Sequence, residues 1–163
     1  MIRLSDERFI TEFSRDHAPA LRVPDGEVIA VRTLDCYANN LRAVNDPRGP
    51  ASGAARGVNP CTGPVWVEGA QPGDTLACEI LKIQVDRYAT MRISDRGGFM
   101  KQHVTSPILR VIELKDGRAT LAGVTMPLDP MVGVIGVAPG GEPVDTATPG
   151  AHGGNMDTRL IRE

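Results

Sequence analysis

The chain has 163 residues, 18 of them basic and 20 acidic, for a net charge of −2; 41% are hydrophobic and only 4% aromatic. That length and balance predict one soluble, globular, β-rich domain over residues 1–163 with an aliphatic core, large enough to fold without disulfides or a structural metal. Charge spread without blocks argues against a nucleic-acid binder and a polybasic membrane anchor, and no apolar run approaches the roughly 20 residues of a membrane helix.

Helix signals are scarce. The one candidate covers residues 5–13, with Ser5 as N-cap, and the pattern ends before Pro19 because a residue preceding proline is pushed out of the helical region. From Leu21 onward the pattern is short β-rich runs at 20–23, 27–34, 65–67, 75–85, 89–93, 108–113, 119–124 and 132–137. Turn chemistry punctuates them at Pro24-Asp25-Gly26, Pro72-Gly73-Asp74 and Lys115-Asp116-Gly117. Residues 27–34 and 75–83 alternate polar with apolar for most of their length, a period of two that sets one face on a core. The expected core draws on Val28, Ile29, Val31, Leu76, Ile80, Ile83, Leu109, Val111, Val134 and Ile135, with Trp66 packed inside. Short strands with Gly/Pro turns predict a mainly β fold, an antiparallel β-sandwich or barrel with Gly/Pro-rich loops and little helix. Two stretches lack periodicity, 39–57 and 138–157. A segment as rich in glycine and proline as the second needs something to pin it, such as a ligand, a metal or a partner.

The sharpest chemical motif is His152-Gly153-Gly154-Asn155-Met156-Asp157. Glycines let the main chain approach a small ligand closely, and imidazole with carboxylate suits zinc or a similar divalent ion. The competing reading is a glycine-rich turn with a capping Asp. Asp35, at the end of a β-run, could face a cleft or simply close a turn. Cys61 lacks a neighbouring histidine and reads as a small hydrophobe, and His103 reads as structural. Cys36, Cys61 and Cys78 show no CxxC spacing, and the opening residues lack the apolar stretch of a secretory signal. Both features predict a cytoplasmic protein.

The run from Asn59-Pro60-Cys61-Thr62-Gly63-Pro64-Val65-Trp66 through Glu68 to Pro72-Gly73-Asp74 resembles the acetamidase/formamidase family. So do Gly136-Val137-Ala138-Pro139 and the stretch Pro149-Gly150-Ala151-His152 to Asp157, with Asp16-His17 and Thr33-Leu34-Asp35-Cys36 matching the family's N-terminal region. The resemblance implies hydrolysis of short amides such as formamide or acetamide to a carboxylate and ammonia, in a mostly β protein that oligomerises. Family members continue beyond the His152–Asp157 motif, so the resemblance further implies an N-terminal half. A second chain carrying the C-terminal half, or a homo-oligomer, would then complete the site. On the matching positions, Asp35, His152, Asp157 and Glu68 are the expected catalytic residues. Asn155, Gly153 and Gly154 are the expected substrate contacts, and His152, Asp157, Asp35 and Asp16 the expected ligands of a divalent metal ion, zinc first.

A metal would polarise the amide carbonyl and a carboxylate would shuttle the proton. A serine triad is less attractive because no histidine sits in a serine-nucleophile motif. A Cys36 nucleophile ranks third, since adjacent Asp35 tends to raise the thiol pKa. The alternative from another class is a non-catalytic β-scaffold subunit that binds a partner chain or small ligand.

Overall fold

The computed structural model describes residues 1–43, 46–47, 59–95 and 98–163; most of the aperiodic stretch 39–57 therefore lies outside the described residues. In chain order the strands are β1 (Ile2–Leu4), β2 (Phe9–Ile10), β3 (Glu12–Phe13), β4 (Leu21–Val23), β5 (Ile29–Val31), β6 (Cys61–Thr62) and β7 (Val65–Val67). They continue with β8 (Tyr88–Ile93), β9 (Ile108–Lys115), β10 (Arg118–Leu121), β11 (Val124–Pro127), β12 (Val134–Gly136), β13 (Val144–Asp145) and β14 (Gly153–Asn155). The fold is mainly β, and among the described residues the single helical element is a 3-10 turn at Lys101–His103, which leaves His103 exposed. No described helix is long and apolar enough to cross a membrane.

The described residues fall into two compact units. The first comprises Met1–Asn39, the described part of Ala54–Ile83, and Met131–Glu163; the second comprises Gln84–Pro130 with the described part of Asn40–Gly53. The second unit is an antiparallel sheet in the order β11-β10-β9-β8, with tight hairpins joining β9 to β10 and β10 to β11 as the turn residues require, and a longer connection joining β8 to β9. Lys115 pairs with Arg118 across Asp116 (φ 51°) and Gly117 (φ 69°), and Leu121 pairs with Val124 across Ala122 (φ 49°) and Gly123 (φ 82°). Two successive left-handed residues are the signature of the type I′ turn, whose twist matches that of the strands it joins. The second of these turns divides the run expected at 119–124.

The first unit is built from pairs. β2 runs antiparallel to β6, β3 to β13 and β12 to β14. β1 lies parallel to β5 and β4 parallel to β7, so antiparallel pairing prevails without being universal. Both parallel pairs bring together strands separated by several others, and that intervening chain makes the crossover a turn could not.

Several expectations need correction. No helix forms at 5–13: Phe9 and Ile10 register against Thr62 and Cys61, and Glu12 and Phe13 against Asp145 and Val144, so tertiary pairing overrides a weak local signal. No strand is formed at 75–85, which pairs with nothing among the described residues. The buried hydrophobic core is Leu4, Phe13, Val23 and Ala38, while Val28, Val31 and Leu76 are exposed and Ile29, Ile80, Ile83, Leu109, Val111, Val134 and Ile135 half-buried. Two-stranded ribbons cover too little of each face to bury every apolar position on it. Trp66 is 48% exposed, because alternation along β7 turns it away from Val65 and Val67; the Arg22 guanidinium, its register partner on β4, lies 4.8 Å above the ring.

The left-handed Ala122 suggests a direct test. Replacing it with asparagine, which tolerates this region far better than alanine, should stabilise the second unit by about 0.5–1 kcal/mol. Thermal denaturation of Ala122→Asn should show a Tm raised by roughly 1–4 °C; an unchanged or lower Tm would mean the turn is not type I′.

Candidate functional site

The motif residues hang on β12 and β14, whose register pairs Val134 with Asn155, Ile135 with Gly154 and Gly136 with Gly153. This ladder is too close for side chains. A Cβ on Gly153 would strike the Ile135 carbonyl oxygen, one on Gly154 would strike that of Thr148, and one on Gly136 would sit 2.6 Å from the His152 carbonyl oxygen. Gly153 and Gly154 also hold φ values of 100° and 89°, where other residues are strained. At the ladder's end Gly150 and Gly153 exchange two backbone hydrogen bonds of 2.8 and 3.0 Å, which makes Ala151-His152 the tip of a tight turn.

His152 packs its ring edge-on against Phe13, with centroids 5.1 Å apart. A Cβ at Gly150 would lie 3.0 Å from Nδ1, and one at Gly154 3.0 Å from Nε2, so glycines bracket the imidazole. Nε2 is buried without a hydrogen-bond partner. What pins the glycine- and proline-rich stretch 138–157 is the chain itself: β13 pairs with β3, and fully buried Thr146 donates both its N–H (3.0 Å) and its hydroxyl (3.1 Å) to the Thr11 carbonyl. The same pairing positions Phe13 under His152.

Asp157 follows the other end of β14. Its N–H and that of Met156 donate to the Gly133 carbonyl at 3.1 and 2.9 Å, and its carboxylate lies so close to Gly133 that a Cβ there would be 2.7 Å from Oδ1. The Asn155 side-chain amide, with its nitrogen turned toward Asp157, donates to both carboxylate oxygens at 3.1 and 3.3 Å.

Asp35 divides its carboxylate between two roles. Oδ1 accepts the N–H of Tyr37 at 2.9 Å and of Asn39 at 2.7 Å, while the Asn39 side chain accepts the Asp35 N–H at 3.2 Å. This is the turn-closing use of an aspartate. Oδ2 is buried and has no partner. The turn docks on the next loop through Asn59 N–H to the Cys36 carbonyl, 2.8 Å. Burial first, then the charges of Asp35 and Asp157, push the Cys36 thiol up, and burial alone raises that of Cys61. A thiol held protonated is a poor nucleophile.

Asp35, Cys36 and Asp157 thus share one acidic patch, and β14 ties Asp157 to His152. Among the described residues no hydrogen bond links His152 to either acid. Asp16 and Glu68 are exposed and make no hydrogen bond or ion pair with the other three; the Asp16 N–H donates to Ser14 and the Glu68 N–H extends the β4–β7 ladder to Val23. No group of three or more His, Cys, Asp or Glu among the described residues could hold a metal ion. Sequence reasoning missed Phe13, Thr11, Asn39 and Gly133. Gly133 carried a readable signal, since a glycine inside an apolar strand run marks close backbone approach.

The acetamidase/formamidase family profile matches residues 5–162. The fold is similar to a crystallised acetamidase from Bacillus halodurans, at 36% identity and TM-score 0.88, covering 99% of this chain and 54% of that one. A predicted acetamidase/formamidase from Thermoanaerobacter tengcongensis gives 37% identity and TM-score 0.89 over 99% of this chain and 54% of that one. An acetamidase from Yersinia enterocolitica shares the fold, at 22% identity and TM-score 0.72, over 99% of this chain and 53% of its own. The chain therefore spans about half the length of these solved relatives. Comparison with curated proteins gave no significant match.

Two measurements probe this geometry. In Gly154→Ala the new methyl meets the Thr148 carbonyl on strained backbone, and unfolding should become easier by at least about 2 kcal/mol; a native Tm would remove the close-approach account. Alkylation at neutral pH followed by mass spectrometry should label Cys78 about tenfold faster than half-buried Cys61, and faster than Cys36, which is exposed but whose thiol is pushed up. Preferential labelling of Cys36 would restore it as a nucleophile.

Proposed function

Because the chain belongs to the acetamidase/formamidase family, we propose that it bears part of an active site hydrolysing short linear amides to a carboxylate and ammonia. The observation that carries this reading is that two of the three buried, unpartnered side-chain polar atoms among the described residues, Asp35 Oδ2 and His152 Nε2, lie on segments that carry the family motifs; the third is Arg42 Nε. Burying a polar atom without a partner is costly, and such atoms are retained where a ligand satisfies them.

In this reading Asp35 Oδ2 takes a proton from the attacking water and passes it to the departing amine. His152, with its proton on Nε2, donates to the oxygen on which negative charge develops. Asp157 is held by Asn155 and by the Gly133 carbonyl. Substrate contact at Asn155, Gly153 and Gly154, and roles for Glu68 and Asp16, rest on the resemblance of those positions to the family motif. A divalent metal ion, zinc first, belongs to the same proposal, with Asp35, His152, Asp157 and Asp16 as the available donors. The described residues do not assemble three such donors at one point, so a complete shell needs donors from elsewhere in the assembled enzyme. Such an ion would polarise the amide carbonyl when bound; the proton transfers above do not depend on it. The remaining half of the relatives' length, supplied by a second chain or within an oligomer, would complete the site. Three free thiols suit a cytoplasmic setting.

The test is ammonia release from formamide and acetamide by the chain co-expressed with the part of the Bacillus halodurans enzyme it does not match. Asp35→Asn preserves the turn through Oδ1 and should lower kcat by on the order of 100-fold or more, as should His152→Ala, with circular dichroism unchanged. Elemental analysis of the same samples should find about one divalent metal per complex. Full activity in both variants would overturn the roles, and a stable complex that releases no ammonia would favour the non-catalytic scaffold.

A further inference from the structure

Residues 75–83 of the first unit have the composition of a strand and no partner. The segment leaves a turn closed by the Asp74 N–H to the Gln71 carbonyl at 3.0 Å and the Gln71 N–H to the Asp74 carboxylate at 2.8 Å, then runs on without a turn or bend. Among the described residues none of its backbone groups enters a backbone–backbone hydrogen bond, and its one polar tie is from the Ile83 N–H to the Glu163 carboxylate. Leu76 and Leu81 are 54% and 59% exposed.

The apolar order carries more information than the exposure. With a period of two, Leu76, Cys78 and Ile80 share one face, and Leu81 and Ile83 the other. Strands that remain at an edge are blunted by charge, proline or bulges; strands with apolar residues on both faces belong in the interior of a sheet. Here two charged residues, Glu79 and Lys82, stand among six apolar ones. An open row of N–H and C=O groups along such a segment is a template for strand addition. The solved relatives devote nearly half their length to polypeptide that this chain does not cover.

We propose that residues 75–83 are an acceptor strand, completed by a β-strand from the polypeptide that makes up the rest of the relatives' length. The inference rests on the family reading above and names the surface on which the two parts join. Pairing converts idle backbone groups into a ladder and covers Leu76 and Leu81 together.

The experiment compares hydrogen–deuterium exchange in the 163-residue chain alone and co-purified with the tagged, co-expressed remainder of the Bacillus halodurans acetamidase. Amides of 76–82 should exchange freely in the chain alone and at least about tenfold more slowly in the complex. Ile80→Pro and Leu81→Pro each remove one donor, and successive donors point to opposite edges, so one of the two should weaken co-purification by about ten- to a hundredfold. The Tm of the chain alone should hold, because neither N–H is bonded there. Leu76→Asp with Leu81→Asp, which leaves the backbone intact, should weaken it similarly.

A complex whose new protection lies elsewhere, and which these variants do not weaken, would overturn the acceptor strand while leaving the amidase reading untouched. Absence of any complex would overturn it too. Protection of 76–82 that grows with concentration of the chain alone would assign the strand to a second copy instead. A complex that protects 76–82 yet releases no ammonia supports the strand and counts against the amidase reading alone.

Discussion

The close approach of β12 to β14 is the constraint on which the first unit depends. Their backbones pass where Gly136 and Gly153 leave no space for a Cβ, and the Thr148 carbonyl closes the space at Gly154. Packing of this kind leaves the ladder no lateral freedom, because any shift brings carbonyl oxygens against α-carbons. His152 and Asp157 flank β14, so the ladder fixes both at once. One needs a turn tip to reach Phe13, and the other needs the Gly133 carbonyl and the missing side chain there.

The rest of the unit holds that ladder in place with little apolar material. Four hydrophobic residues are buried, and one of them, Phe13, also forms the wall against which His152 packs. Thr146, the one fully buried polar residue among those described, gives both its donors to a single carbonyl of the N-terminal segment. A polar clamp and a shared aromatic therefore substitute for a deep core. Stability and site geometry are coupled as a result, since loosening Phe13 disturbs the imidazole as well as the packing.

Much of this was legible in the residues. Turn signals at Asp116-Gly117 and the β-rich run at 108–113 came through because they are local, set by φ preferences and β-forming composition. The helix expected at 5–13 failed because Phe9 and Phe13 answer to partners about 50 and 130 positions away in sequence, which no local window contains. The core prediction failed for a related reason. The apolar run at 75–83 marks a segment meant for burial but not whether the covering strand belongs to the same polypeptide. At the candidate site, the glycines are required by close backbone approach, within the β12–β14 ladder and to the Thr148 carbonyl. Asp35 closes a turn through one oxygen, one of its two sequence readings, and its other oxygen is buried without a partner.

That divided carboxylate has a stereochemical consequence. A free aspartate flips about its Cβ–Cγ bond and presents either oxygen, from either side, to whatever approaches. With two amide donors on Oδ1, a flip would break both hydrogen bonds before the oxygens could exchange places. The orientation that leaves Oδ2 open is therefore favoured by about 1–3 kcal/mol over its flipped counterpart. The two oxygens of this one carboxylate are no longer interchangeable: one is engaged by the turn, and the other is buried without a partner.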